Sequence, residues 1–281
     1  MCLRVDVYLT KKLHVASRTR AQQLISKGLV TLDGQVVAKA SDEVDEALEH
    51  TVTLGEDMPY VGRGGCKLEA ALDAFNLDVT DAWALDIGAS TGGFTDCLLR
   101  RGAARVYAVD SGVGQLAPSL CADGRVVNIE KCNARYLNAE MLDGAFVGHG
   151  GADTVVMDVS FISQTCILPV LPPLLRDQGR VVTLIKPQFE VGKPGIGKGG
   201  IVKDAAWRKF AVERVFNGAA LVELVPLDVM RSPIEGGDGN VEYLAVFRRA
   251  NESEDAAVLA RELFGTLGEE MFRPIKKQKN G

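Results

Sequence analysis

Apolar positions along this chain follow two different periods, and the changes of period outline its architecture. Seven short, largely apolar runs have the length and flanking residues of buried strands: Ala82–Ile87, Arg105–Val109, Val126–Ile129, Thr154–Asp158, Arg180–Ile185, Leu221–Val229 and Glu242–Arg248. Helical spacing fills most of the gaps, as in Gly93–Arg101 and Ala205–Asn217. This alternation predicts a Rossmann-like α/β unit, a mostly parallel seven-stranded sheet covered on both faces.

The first 40 residues follow a different plan. Val5, Tyr8, Leu9 and Leu13 predict one helix; Ser17 is the expected N-cap of a second, with Ala21, Leu24 and Ile25 facing inward. Gly28 after Lys27 suits a left-handed stop. Leu29–Leu32, the Asp33-Gly34 turn and Gln35–Val37 form a predicted hairpin, and a further strand is expected around Thr51–Leu54. Residues 58–66 are glycine-rich and read as a linker before a helical Lys67–Phe75. At the other end Leu259, Leu263, Leu267 and Met271 recur at helical spacing ahead of Lys276, Lys277 and Lys279. The expected plan is a small α+β domain over 1–58, a linker over 59–66, the α/β domain over 67–250, and a helix with a basic tail over 251–281.

A chain of 281 residues with 47% hydrophobic and 25% charged residues is that of an ordinary globular protein. The net charge of -5 becomes informative when divided: residues 1–40 carry +5 and the remainder -10. A basic head on an acidic body suits a polyanion partner, although a solvated face would look similar. Six cysteines without CxxC spacing and three histidines argue against a zinc cluster and suit reduced thiols. Charges interrupt every early apolar run, and no run reaches the roughly 20 residues of a membrane span. A cytoplasmic protein with no metal and no membrane partner is expected.

Two constellations carry chemistry. The first is Asp86-Ile-Gly88-Ala89-Ser90-Thr91-Gly92-Gly93-Phe94, where an apolar strand ends and a helix opens. Its glycines admit a ligand close to the backbone, and the helix start offers free N–H groups. The spacing is GxxxGG and does not match the nicotinamide pattern GxGxxG. It resembles the methyltransferase loop that holds the amino-acid end of S-adenosylmethionine. Asp110 ends the following strand, where a carboxylate can accept both hydroxyls of a cofactor ribose. The alternative is a structural turn with a strand-end aspartate.

The second constellation is Lys67, Asp158, Lys186 and Glu242. A ribose hydroxyl is a very weak acid, so its methylation requires a base; a lysine serves only when burial or a second cation makes its protonation costly. Asp158 and Lys186 end predicted strands, the ligand-binding edge of such sheets. Glu242 begins an apolar strand, an expensive place for an unpaired charge. Lys67 follows Gly64-Gly65 and can reach back over the sheet. Taken singly, a strand-end aspartate is often a cap and a helix-start lysine is usually solvated; the set of four is harder to dismiss.

The chain resembles the TlyA (hemolysin A) family over nearly all of residues 3–250. The similarity rests on Arg63-Gly-Gly-Cys-Lys67-Leu-Glu, the Asp86 loop, Gly114-Gln-Leu, Asn133-Ala-Arg135, Asp158-Val-Ser-Phe-Ile-Ser163, Lys186-Pro-Gln-Phe-Glu190 and Gly239-Asn-Val-Glu242. It implies an S4-type RNA-binding module followed by an FtsJ-like, class I methyltransferase that uses S-adenosylmethionine. It further implies 2'-O-methylation of cytidine in 23S or 16S ribosomal RNA, or both, with Lys186 as base in a Lys-Asp-Lys-Glu tetrad. Asn133 joins the implied cofactor set, and Arg4, Arg18, Arg20, Lys27, Lys39 and Arg63 form the implied RNA-binding set. The sequence departs from the family's pattern at Gly62, Cys66, Ser111 and Lys131-Cys132, none of them a tetrad position.

Other readings are weaker. Gly192–Gly200 resembles a phosphate loop, but Gly199 stands where Ser or Thr should hold magnesium, so an NTPase is rejected in favour of a basic lip over the substrate entrance or a solvated turn. Asp158-Val-Ser-Phe161 lacks the prolines of amine methylation, and Cys166 follows Thr165 rather than the proline usual before a cytosine-attacking cysteine. A non-catalytic RNA-binding or ribosome-assembly factor and a membrane-active hemolysin stand as the alternatives.

Overall fold

The computed structural model of the chain describes residues 2–273 apart from 14, 16, 27, 28, 38, 47, 49, 55–58, 237 and 238. It divides into two compact units, 1–59 and 60–281.

The smaller unit holds β1 (Cys2–Arg4), α1 (Val5–Lys12), α2 (Arg18–Ser26), β2 (Val30–Leu32), β3 (Gln35–Val36), β4 (Glu43–Asp45) and β5 (Val52–Leu54). Ser17 Oγ accepts the Arg20 N–H at 3.1 Å, the expected cap of α2. Asp33 and Gly34 both have positive φ, 50° and 80°, as the two-residue turn between β2 and β3 requires. Strands β3, β2 and β5 form one antiparallel sheet, and β1 pairs with β4. Neither β1 nor β4 was expected: three residues display no period, and no tight turn marks these strands as Asp33-Gly34 marks β2 and β3. Val5, Leu9, Ala21, Ile25 and Val30 fill the core.

Asp6 is buried beside that core and gathers the basic residues around it. It accepts from Arg4 Nε and Nη2 at 3.1 Å, Arg18 Nε at 3.0 Å and Gln22 Nε2 at 2.7 Å. Arg4 and Arg18, two of the expected RNA contacts, are therefore already paired within the fold, with their side chains 44% and 54% exposed. Lys39 is exposed; Lys27, Gly28 and the terminal lysines lie outside the described residues.

The larger unit runs α3 (Gly64–Ala74), β6 (Trp83–Ile87), α4 (Gly93–Arg100), β7 (Arg105–Val109), α5 (Pro118–Cys121), β8 (Val126–Ile129), α6 (Gly144–His149), β9 (Ala152–Met157) and β10 (Leu175–Ile185). It continues through α7 (Pro187–Glu190), α8 (Gly192–Gly195), α9 (Ala205–Ala220), β11 (Leu224–Arg231), β12 (Tyr243–Arg249), α10 (Ala256–Thr266) and α11 (Glu269–Phe272). One seven-stranded sheet has the order β11-β12-β10-β9-β6-β7-β8, parallel from β10 to β8, with β12 antiparallel to both its neighbours. Alternate residues of each strand feed two cores. Leu85, Val155 and Val181 point to one face, and Ala84, Val156 and Val182 to the other. Burial on both faces is why these strands read as continuous apolar runs.

Strand β10 starts five residues early and β11 three residues late, and the two end segments of this unit also differ from expectation. Helix α3 begins at Gly64, three residues early, and residues 60–66 pack on the α/β unit instead of linking. Tyr60 is buried, the Val61 N–H bonds to Asp96 Oδ2 at 2.9 Å, and a Cβ on Gly65 would stand 2.2 Å from the Tyr60 ring. Glycine serves close packing there, which a sequence cannot distinguish from flexibility. At the other end the apolar stripe divides between α10 and α11. It packs on α9 and β11, with Ala256, Ala260 and Phe272 buried in the main core.

The arginines hold the Asp6 carboxyl well below the usual carboxylate range. A depressed value stabilises the fold above the unfolded carboxylate value, near about pH 4, and that contribution is lost as pH falls further. Asp6→Asn is expected to cost the small unit about 1 kcal/mol at pH 7, since the arginines are half-exposed. Hydrogen exchange of the α1 and α2 amides in the full chain should show this gap closing as pH drops below about 4.

Candidate active site

The sheet order reverses between β6 and β9, so the carboxyl ends of those strands and their neighbours open a crevice. Gly88, at φ 85°, turns the chain out of β6; a Cβ there would lie 2.5 Å from the Asp158 carbonyl oxygen. Only glycine lets the 88–92 loop rest against the end of β9. The Asp158 N–H bonds to Ile87 O at 3.0 Å and fixes the two strand ends together.

Asp110 leaves the end of β7 with its carboxylate held by two backbone donors, Ser90 N–H at 2.8 Å and Gly112 N–H at 2.7 Å. It lines a cavity of about 470 Å³ with Gly88, Ser90, Asn133, Arg135 and Asp158. Asn133 Oδ1 accepts the Arg135 N–H at 3.2 Å, which sets the cavity's far rim. A smaller adjoining space of about 180 Å³ is lined by Ala89, Gly93, Phe94, Arg63, Asp158 and Lys186. The volume, the glycine-floored loop and a pre-oriented carboxylate fit a nucleoside-bearing ligand.

Asp86 and Gly92 line neither space. Asp86 is fully buried under the loop, where Thr95 Oγ1 donates to it at 2.6 Å and its Oδ1 has no hydrogen-bond partner among the described residues. Burial pushes this carboxyl up to about 7 against the pull of the Thr95 hydroxyl, with Asp158 and Asp110 adding to the rise. Its place is beneath the 88–94 loop, tying β6 to α4, rather than on the cavity wall.

The structure brings Lys67, Asp158, Lys186 and Glu242 to one place. Asp158 follows β9, Lys186 follows β10, Glu242 precedes β12, and Lys67 sits in the first turn of α3. Lys67 Nζ and Glu242 Oε2 form a buried ion pair at 2.5 Å. Lys186 Nζ lies 2.7 Å from Asp158 Oδ1, at an angle that makes an ion pair without a hydrogen bond, and donates to Ser160 Oγ at 2.7 Å. Burial pushes the Glu242 carboxyl upward; Lys67 and, at longer range, Lys186 pull it down, and Asp158 pushes it up again. Each of the other three charges is thus close enough to be felt at Glu242.

A third space, about 300 Å³, lies on the Glu242 side and is lined by Ser160, Phe161, Lys186, Gln188 and Phe189. Phe161 is 92% exposed at φ 63°, its ring 5.2 Å from that of Phe189. Ile196 and Gly200 of the glycine-rich stretch complete this wall, and Lys193 and Lys198 are exposed beside them. Buried Glu190 anchors the loop after Asp158, accepting from Ser163 Oγ at 2.5 Å and from the Gln164 N–H at 2.8 Å. Sequence reasoning missed Ser160, Phe161 and Arg135 as site residues. All three lie inside motifs used above, but residue type alone does not mark which member of a motif faces a cavity. Among the described residues no group of three or more metal-ligating side chains occurs and no helix is long and apolar enough to cross a membrane.

This sheet order with a cavity at its switch point defines the Rossmann-like methyltransferase class. A family model for the FtsJ-like methyltransferase matches residues 60–249, and one for the S4 domain matches residues 3–49. The chain is 42% identical to the 16S/23S rRNA (cytidine-2'-O)-methyltransferase TlyA of Mycobacterium tuberculosis, over 87% of this chain and 89% of that one. A candidate rRNA methyltransferase of Bacillus subtilis, YqxC, is 38% identical over 98% and 96%. A solved structure described as a candidate hemolysin from Streptococcus thermophilus superimposes with a TM-score of 0.69 at 39% identity, covering 94% of each chain. The chain belongs to the TlyA (hemolysin A) family of FtsJ-like methyltransferases.

The raised Asp86 carboxyl has a measurable consequence. Between the unfolded value near about 4 and the folded value of about 7, the folded protein holds a proton that the unfolded chain has lost. Stability is therefore expected to fall as pH rises through that window and to level off above it. Asp86→Asn should remove the decline, as read from urea unfolding followed by Trp83 and Trp207, both in this unit.

Proposed function

We propose that the protein methylates a ribose 2'-hydroxyl of ribosomal RNA from S-adenosylmethionine, with Lys186 as general base. The observation that carries this reading is the position of Lys186 Nζ, on the wall between the glycine-loop space and the Glu242-side space and paired with Asp158. The M. tuberculosis relative's own name supports ribose as the acceptor, and the S4 match supports RNA as the partner.

The cofactor supplies an electrophilic methyl group on a sulfonium. Asp110 and Asn133 would hold its nucleoside end, and the 88–94 loop its amino-acid end. The chain's own task is the proton. Lys186 in its unprotonated form takes it from the ribose oxygen onto Nζ, and the Asp158 carboxylate, 2.7 Å away, stabilises the ammonium so formed. The Lys67–Glu242 pair holds a second amine beside the first without leaving either charge unpaired.

Phe161 offers an open aromatic face at the entrance, suited to stacking a base turned out of the RNA. Arg63 beside the loop space, with Arg20 and Lys39 of the small unit, supplies phosphate contacts. Arg4 and Arg18 can add to these only with the half-exposed part of each guanidinium that Asp6 leaves open.

Purified ribosomal subunits, incubated with enzyme and labelled cofactor and then mass-mapped for ribose methylation, test the reading. Lys186→Ala is expected to lower transfer by about 10²–10⁴-fold while calorimetric cofactor binding persists. Absence of label from both RNAs with folded wild-type protein that binds the cofactor would remove the proposal and favour a non-catalytic RNA-binding role. Phe161→Ala should lower kcat/KM by about tenfold or more without changing cofactor affinity. Turnover equal to wild type would take Phe161 out of substrate contact.

A further inference from the structure

We infer that Ser160 is the residue that aims the Lys186 amine, a positioning role resting on the assignment of Lys186 as base. Lys186 has two polar neighbours, and they contribute differently. Asp158 Oδ1 is 2.7 Å from Nζ, but out of line for a hydrogen bond, so it supplies charge without direction. Ser160 Oγ, also at 2.7 Å, accepts the hydrogen bond that Lys186 makes among the described residues.

Direction matters for this group. A lysine amine rotates freely about its last bond, and in its neutral form it has two N–H donors and one lone pair. Proton abstraction requires that lone pair to face the substrate hydroxyl at hydrogen-bond distance. Committing one N–H to Ser160 removes the free rotation. The lone pair and the other N–H share the remaining positions on nitrogen, and repulsion from the Asp158 carboxylate turns the lone pair towards the open space.

Ser160 itself is well placed to do this. It lines all three adjoining spaces, so its hydroxyl stands where loop side and substrate side meet. Its loop is tied to the strand that carries Lys186. Glu190, four residues after Lys186, accepts from Ser163 and Gln164, and Gln164 Nε2 donates to Leu184 O at 2.7 Å. Hydroxyl and amine are thus referenced to the same stretch of backbone, β10 and the short α7.

The test compares Ser160→Ala, Ser160→Thr and Lys186→Ala in the full chain. It measures steady-state methylation of ribosomal subunits alongside cofactor binding by calorimetry. Ser160 is exposed, so the alanine variant should fold as wild type. Ser160→Ala is expected to lower kcat by about tenfold to a hundredfold, with KM for RNA and cofactor affinity unchanged. Ser160→Thr, which keeps the hydroxyl, should recover most of the loss. If Lys186→Ala is inactive but Ser160→Ala turns over as wild type, or if threonine is as poor as alanine, the positioning role is overturned and Lys186 stands. If Lys186→Ala turns over as wild type, the assignment of the base falls and Ser160 falls with it.

Discussion

The site depends on a desolvated ion pair between residues 175 positions apart, Lys67 and Glu242. Neither charge could stay buried alone; removing one partner from such a pair typically costs about 3–5 kcal/mol, because the other is left uncompensated. That penalty pins the start of α3 to the start of β12, and α3 thereby closes one side of the crevice. A hydrophobic pair of equal volume could also hold these elements together. What it could not provide is an amine and a carboxylate next to the Lys186–Asp158 pair. The charges are therefore retained at a cost in stability that the surrounding packing must offset. Tyr60 against Gly65 and the Val61 N–H on Asp96 belong to that packing.

Much of the architecture was legible because burial leaves a periodic trace. Strands covered on both faces produce apolar runs, and the run at Arg105–Val109 coincides with β7 residue for residue; the run at Val126–Ile129 also coincides with β8, although that edge strand is only partly buried. Boundaries drifted where the trace is weak. Strand β10 starts five residues early, at Leu175, because Arg176, Asp177 and Gln178 are exposed and interrupt the pattern. The three-residue β1 and β4 left no trace. The run around Gly62–Gly65 misled for a different reason: a glycine needed for close approach and one needed for freedom are the same letter.

The site was legible in part, and the division has a physical basis. Charged residues set among apolar ones are conspicuous, so Asp158, Lys186 and Glu242 could be picked out before their convergence was visible, whereas Lys67, a helix-start lysine, stood out only as one of the set. Small polar residues such as Ser160 are common everywhere, and only the distance to Lys186 singles this one out. Asp86 was equally conspicuous yet lies under the 88–94 loop instead of on the cavity wall. Sequence placed a carboxylate at the strand end before the loop, but not which side of the loop it faces. Among the basic residues of the small unit, Arg4 and Arg18 show the converse, since a charge count cannot reveal that Asp6 already holds both.

The amphipathic C-terminal stripe bears on the family's older name. A helix that disrupts membranes must present its apolar face to lipid. In this chain that face of α10 lies on α9 and β11, and Phe272 of α11 is fully buried against Tyr243. Arg208, itself buried, holds the end of the stripe through its bond to Phe272 O at 2.7 Å. Exposing the stripe would uncover part of the core that supports β11 and β12, and β12 begins immediately after Glu242. The apolar tail residues are thus tied to the same strand as the buried Glu242 carboxylate. Their hydrophobicity is accounted for by a demand internal to the enzyme, with no lipid surface required.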